Sequence, residues 1–331
     1  MMKKEKFAVI GSNSFSGAHF TARLLKDKAE VIGISRSPEP SGVFLPYKWA
    51  SCGRFRFYQM DLNLDLEKIM EVMAEFQPDY VVNFASQSMV AQSWDKPEDW
   101  FLTNVTGMVK LHDRLRKCAF LKRYVHVSTP EVYGNTRRMI TEDVPCNPST
   151  PYAVSRAACD MSLMTFFRTY NFPVVFTRAA NVCGPGQQLY RILPRTIFNI
   201  LTGKKLKLEG GGKAVRSFIH IQDVCEGTLR TIRKGRIGEA YHFATGRNIT
   251  VRSLVEEVCR QLEVSFEDSV EITPPRKGQD ALYTLDWTKA KTELGWQPVI
   301  SLETTIAETV GWVKKNLDVL KEQPLEYIHK P

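Results

Sequence analysis

Near the N-terminus an apolar run, Phe7-Ala8-Val9-Ile10, meets Gly11-Ser12-Asn13-Ser14-Phe15-Ser16-Gly17 and then an amphipathic stretch to about Leu25. This feature constrains the fold more than any other. A short buried strand has to turn at once into a helix. Gly11 permits the tight turn, and Gly17 lets the helix pack close to a sheet. A helix that starts there offers unpaired N–H groups to an anion such as a pyrophosphate. The expected product is an α/β fold with a parallel sheet.

Further strands are expected at Glu30–Ile34, Phe57–Leu62, Tyr80–Ala85, Tyr124–Val127 and Val174–Arg178, with helices at 64–76, 104–118 and 152–170 between them. Alternating strands and helices make a doubly wound sheet of Rossmann type. The 331 residues suffice for that domain and an appended lobe. At Asn181-Val182-Cys183-Gly184-Pro185-Gly186 the composition turns to loop, and Val215–His220 returns as a strand. We therefore expect a dinucleotide-binding domain from 1–182 and 213–245, and a smaller C-terminal α/β substrate lobe from 183–212 and 246–331. The stretch Leu302–Leu320 is amphipathic.

Composition excludes more than it selects. No apolar run approaches the ~20 residues of a membrane span, and the N-terminus lacks the apolar core of a secretory signal. Seven cysteines without close paired spacing point to reduced thiols in a cytoplasmic protein, with no disulfide framework and no metal site. The net charge of +9 is spread over scattered residues, which argues against nucleic acid and suits an anionic small substrate.

In a parallel α/β sheet, chemistry sits beyond the carboxyl ends of the strands. The strand ending at Val127 runs into Ser128-Thr129-Pro130-Glu131, which puts Thr129 and Glu131 in the cleft. Downstream, Pro151 opens a helix in which Tyr152 and Arg156 lie one turn apart. A fixed cation favours the phenolate, so Tyr152 becomes a base for a hydroxyl. Taken alone, the pair reads equally as a packed tyrosine beside a solvated arginine. The second strand ends in Ser35-Arg36-Ser37 with no acidic residue for a ribose hydroxyl. Arg36 there suits a 2′-phosphate, or is a solvent-facing loop residue. Asp61 is placed to cap the helix after it.

Taken together, Ser128-Thr129-Pro130-Glu131-Val132-Tyr133-Gly134, the Tyr152–Arg156 helix and the N-terminal glycine turn resemble the extended short-chain dehydrogenase/reductase family. Within it, the likeness is to the nucleotide-sugar 4,6-dehydratases, and it covers nearly the whole chain. The resemblance implies transient oxidation at C4 of a nucleotide-linked hexose, loss of the C5 proton, loss of water from C6, and hydride return to C6. Thr129, Glu131, Tyr152 and Arg156 would be catalytic. Gly11, Asn13, Ser14, Phe15, Gly17, Arg36, Asp61, Leu62, Ala85 and Ser86, with Tyr152 and Arg156, would hold the cofactor. NADP is expected over NAD, tightly bound and regenerated at each turnover. Gln87, Ser88, Asn181, Arg191, Arg216 and Arg276 would face the substrate, and Arg216 has a surface strand-edge charge as its alternative reading. A homodimer through a four-helix bundle is also implied, built from the helices 104–118 and 152–170. Three positions depart from the pattern: Ser14 replaces a glycine, Pro130 stands where the dTDP-glucose enzymes have aspartate, and Arg156 replaces lysine. A C4 epimerase, a UDP-glucuronate decarboxylase-like enzyme, a C4 dehydrogenase and a non-catalytic cofactor-binding protein remain as alternatives.

Overall fold

The computed structural model describes residues 4–50, 53–136, 138–274 and 284–330. Five strands come first: β1 (Lys6–Ile10), β2 (Glu30–Ser35), β3 (Arg54–Gln59), β4 (Tyr80–Asn83) and β5 (Arg123–Val127). With Val174–Ala179 and Ala240–Phe243 they form one seven-stranded sheet. Its order is Ala240–Phe243, Val174–Ala179, β5, β4, β1, β2, β3, and every neighbouring pair is parallel.

Both faces are covered, and for that reason the inner strands β1 and β4 read as near-continuous apolar runs, whereas the edge strand β3 alternates with arginine. On one face Phe7, Val9, Val31, Val82 and Val125 pack with Phe20 and Leu24 of α1 (Phe15–Lys26) and with Leu229 of the Ile221–Lys234 helix. On the other, Ala8, Ile10, Ile32, Val81 and Tyr124 pack with Met73 of α2 (Leu66–Phe76) and Leu163 of a later helix. Successive side chains of β1 thus serve opposite layers, as the period of two demands. The chain winds outward from β1 through β2 to β3, then returns to the other side of β1 at β4. That reversal opens a crevice between the carboxyl ends of β1 and β4, where open α/β sheets take their ligands.

The helix expected at 104–118 is longer and interrupted. It runs as α3 (Pro97–Phe101), a π-helical turn over Leu102–Gly107, and α4 (Met108–Leu115). The helix expected from Tyr152 is α5 (Pro151–Tyr170), capped by Thr150, whose side chain accepts from Ala153 N. Beyond the main sheet, Val215–His220 pairs parallel with Asn181–Cys183 and antiparallel with Asn248–Thr250. A separate apolar cluster there joins Leu193, Ile197, Phe218, Leu254, Ile306 and Val313. The stretch Leu302–Leu320 forms two helices, Leu302–Lys315 and Leu317–Lys321. Among the described residues no helix is long and apolar enough to cross a membrane.

Candidate active site

The turn after β1 has the shape a dinucleotide needs. Gly11 adopts φ +80, and a Cβ on it would meet Ala85 N of the β4 loop at 2.6 Å. A Cβ on Gly17 would meet Gly11 O at 2.1 Å. Side chains at either place would push the helix off the crevice. Ser14 is tolerated because its φ of −74 suits any residue, and its hydroxyl caps α1 by accepting from Gly17 N at 3.2 Å while donating to Gly11 O. Asn13 ties this turn to the loop after β2: its amide donates to Ser37 O at 2.9 Å and Pro38 O at 3.1 Å. Phe15 is buried in the core and Arg36 is half-buried. Asp61 accepts from Asn63 N at 2.7 Å, so it closes a local turn, whereas Asp65 sits at the start of α2. Leu62 is buried beside it.

After β4, Ala85 and Ser86 are half-buried, Gln87 is buried and Ser88 is exposed. The π turn explains how Gln87 is held. Its extra residue presents Asn104, whose amide accepts from Gln87 N at 2.8 Å and donates to Gln87 O at 3.0 Å. The same amide reaches Ser155 Oγ of α5 at 3.0 Å. One side chain therefore fixes the β4 loop to the helix that carries Tyr152. Sequence reading placed Asn104 at a helix start and gave it no role; the spacing contains no mark of a π turn.

At the end of β5, Thr129 has extended φ/ψ and caps a 3-10 turn over Pro130–Tyr133, its hydroxyl accepting from Glu131 N at 3.3 Å. Pro130 suits the first position of that turn because its φ is fixed. Burial pushes the Tyr152 phenol above its ordinary pKa; the Arg156 charge pulls it down, the Glu131 carboxylate pushes it up, and the Thr129 hydroxyl and Arg191 pull it down. The other three predicted catalytic side chains thus all act on the Tyr152 phenol.

Arg156 is 4% exposed, so its charge is buried. Its guanidinium donates back to Val127 O at the end of β5 and lies 3.3 Å from His126 Nε2. Burial, then the charges of Arg156 and Arg178, hold His126 well below its usual range, so it is neutral. Behind it, Asp160 accepts from Ser128 Oγ at 2.7 Å and from Arg178 at 2.8 Å. Two buried guanidinium groups, a single carboxylate and a neutral imidazole thus underlie the catalytic turn. Of this network only Arg156 was assigned from sequence.

Of the substrate-facing candidates, Arg191 precedes the Ile192–Leu201 helix and lies over the Tyr190 ring. Asn181 and Arg216 lie on adjoining strands of the small sheet, and Arg216 is buried. Arg276 lies outside the described residues. The Arg191 charge acts on Tyr152 and on Tyr327, whose hydroxyl bonds Gln87, whereas Ser88 is exposed.

A family model described as GDP-mannose 4,6 dehydratase matches residues 9–309. The chain belongs to the nucleotide-sugar 4,6-dehydratases of the extended short-chain dehydrogenase/reductase family. This dehydratase is 31% identical to a probable dTDP-glucose 4,6-dehydratase of Sinorhizobium fredii over 94% of the chain and 93% of the relative. With the dTDP-glucose 4,6-dehydratase of Haemophilus influenzae it shares 32% identity over 78% of the chain and 82% of the relative. Among solved structures, the dTDP-glucose 4,6-dehydratase of Streptomyces venezuelae, with NAD bound, superposes with a TM-score of 0.88. That match is 32% identical and covers 95% of this chain and 98% of the other. A UDP-glucose 4-epimerase of Thermotoga maritima follows at 0.84 and 28% identity, covering 94% and 99%. The dehydratase therefore shares its frame with epimerases, and its side chains decide the reaction.

Proposed function

We propose that this nucleotide-sugar 4,6-dehydratase acts on a dTDP-linked hexose, with NAD as the cofactor it holds and regenerates. The observation that carries the reading is that Thr129 and Glu131, joined in the turn at the end of β5, both act on the Tyr152 phenol of α5. Dinucleotide binding falls to the Gly11–Gly17 turn, the first turn of α1 and the residues Arg36, Asp61, Leu62, Ala85 and Ser86. A nicotinamide held there would supply the hydride acceptor for C4 and the hydride donor for C6. The Tyr152 phenolate takes the proton of the C4 hydroxyl, and Thr129 hydrogen-bonds the same oxygen. Oxidation at C4 acidifies the C5 proton, which Glu131 removes. Pro130 has no proton to give, so the protonated Glu131 then gives its proton to the C6 hydroxyl, which leaves as water, and solvent supplies the proton that returns to C5. The glutamate is what a plain C4 epimerase has no use for.

NAD replaces the NADP expected from Arg36, because the solved relatives carry NAD and the Arg36 charge acts on the Tyr327 phenol of this chain's own tail. Residues 183–212 and 246–331 form the sugar-nucleotide lobe in this reading, with Asn181, Arg191, Arg216 and Arg276 toward the diphosphate and sugar, and Gln87 and Ser88 opposite. A homodimer is supported by apolar side chains exposed on the two helices concerned: Phe101 and Leu102 on one, Val154 and Met161, seven apart, on the other. Cytoplasmic location accords with the six described cysteines, which are all free.

The test is a panel of dTDP-, UDP-, GDP- and CDP-hexoses incubated with the NAD-loaded protein, products read by mass spectrometry. The reading expects conversion of dTDP-glucose to a 4-keto-6-deoxy sugar without stoichiometric cofactor. Turnover of a GDP- or CDP-hexose alone would overturn the base assignment.

A further inference from the structure

The C-terminal segment crosses the mouth of the crevice. Beyond the Leu317–Lys321 helix the chain runs without regular structure, and from Leu325 to Lys330 exposure alternates: 325, 327 and 329 face the protein, 326, 328 and 330 face solvent. Leu325 packs on the lobe cluster, and Glu326 pairs with Arg195 of the Ile192–Leu201 helix. The Tyr327 ring meets Tyr190 edge-on at 5.5 Å. Those contacts anchor one end on the lobe.

The other end is anchored across the sheet. Gln87 Nε2 donates to Lys330 O at 2.6 Å, and Tyr327 OH donates to Gln87 Oε1 at 3.4 Å, so the tail takes up both ends of a buried amide. His329 bonds Asp99 at 2.7 Å and stacks flat on Trp100, with ring centroids 4.9 Å apart and planes at 8°. Lys330 Nζ reaches Ser37 Oγ at 3.1 Å. Gln87 follows β4 and Ser37 follows β2, and β1 with its glycine turn lies between those strands. Arg36 and Arg191 both act on the Tyr327 phenol, which puts it between the cofactor loop and the lobe. The segment therefore straddles the dinucleotide crevice. The segment has no regular structure and is held by a few separate contacts, the kind of arrangement that opens locally without global unfolding.

We propose that residues 325–330 are a latch over the bound dinucleotide: the segment lifts to admit the cofactor, closes across it, and has to lift again before the cofactor leaves. The inference rests on the NAD reading above and is independent of which sugar is dehydrated. It gives a physical reason for a cofactor that stays through every turnover while the sugar nucleotide comes and goes through the lobe side.

The experiment is a chase. Protein loaded with radiolabelled NAD is mixed with excess unlabelled NAD, and retained label is followed with time. The intact chain, a truncation ending at Pro324, and His329→Ala are compared, with thermal melting as a check on folding. The latch predicts dissociation at least tenfold faster in the truncated protein, an intermediate rate for His329→Ala, and little change in melting. Equal dissociation rates in the intact protein and His329→Ala, or a truncation that speeds association alone, would overturn it; the second result would make the tail a plug. If the intact protein retains no label at all, the NAD reading falls with the latch, a result distinct from retention that no variant alters.

Discussion

Burial and charge pull the Tyr152 phenol in opposite directions, and Arg156, Glu131 and Thr129 set the balance. Desolvation raises its pKa, while Arg156 and the Thr129 hydroxyl lower it. The phenolate is the active base, so single-turnover cofactor reduction should rise with pH through the Tyr152 titration. Arg156→Met removes the main opposing charge; its rising limb should move to higher pH, with weaker cofactor binding. Arg156→Lys should keep the parent profile, because a charged group remains at that position. The check is the pH profile of that burst in all three proteins. A Met variant indistinguishable from the parent would mean that the buried guanidinium serves only Val127 O and His126. Arginine, unlike lysine, stays protonated throughout, so the proton Tyr152 loses has to leave by water or a ribose hydroxyl.

At the scale of elements, the π turn over Leu102–Gly107 decides how the β4 loop meets α5. Asn104→Ala leaves the buried backbone N–H of Gln87 without its acceptor, a loss of about 1–3 kcal/mol. Urea unfolding should show that destabilisation, and KM for the sugar nucleotide should rise as the Gln87 loop loosens. Unchanged stability would mean that water replaces the amide. The elements themselves were legible because β1 and β4 are mostly apolar on both faces, and because Pro151 marks the first turn of α5. The site was legible where chemistry is local in sequence, as in Thr129-Pro130-Glu131 and Tyr152-Ala153-Val154-Ser155-Arg156. It was not legible where partners are far apart. Asn104 meets Gln87 17 residues away, and Lys330 meets Gln87 243 residues away. No periodicity records such pairings; only the sheet order creates them. Asp61 shows the same limit from the other side, since an acidic residue after a strand serves a turn as readily as a ligand.

Across the whole molecule, segments beyond the main sheet are tied to it partly through buried, neutral histidines. His19 of α1 donates to Pro185 O at 2.8 Å, just after the Asn181–Cys183 strand. Its pKa is lowered to about 4, chiefly by burial. His242, on the edge strand, is lowered to about 3 by burial and by Arg178. An unfolded histidine titrates near ~6.5, so the unfolded chain binds more protons below that pH than the folded one. Stability is then full above about pH 6.5 and falls as pH drops toward about 4. For His19 alone the loss is roughly 3 kcal/mol at the bottom of that window. Urea unfolding at neutral pH and near pH 5 should show it, and His19→Gln should flatten the decline. An equal decline in that variant would place the acid sensitivity elsewhere.

The central claim is that this fold, which also serves epimerases, is committed to dehydration by one carboxylate. It is tested most directly by running the reaction on dTDP-glucose in deuterium oxide with the intact protein and with Glu131→Gln, and reading the sugar by NMR and mass spectrometry. The intact protein should give a 4-keto-6-deoxy product one water lighter, with solvent deuterium at C5. Glu131→Gln should still reduce its cofactor, while elimination slows by about 10²–10⁴ and C5 exchange stops. A 4-keto product that keeps its C6 hydroxyl in the intact protein, or undiminished C5 exchange in the variant, would contradict the account.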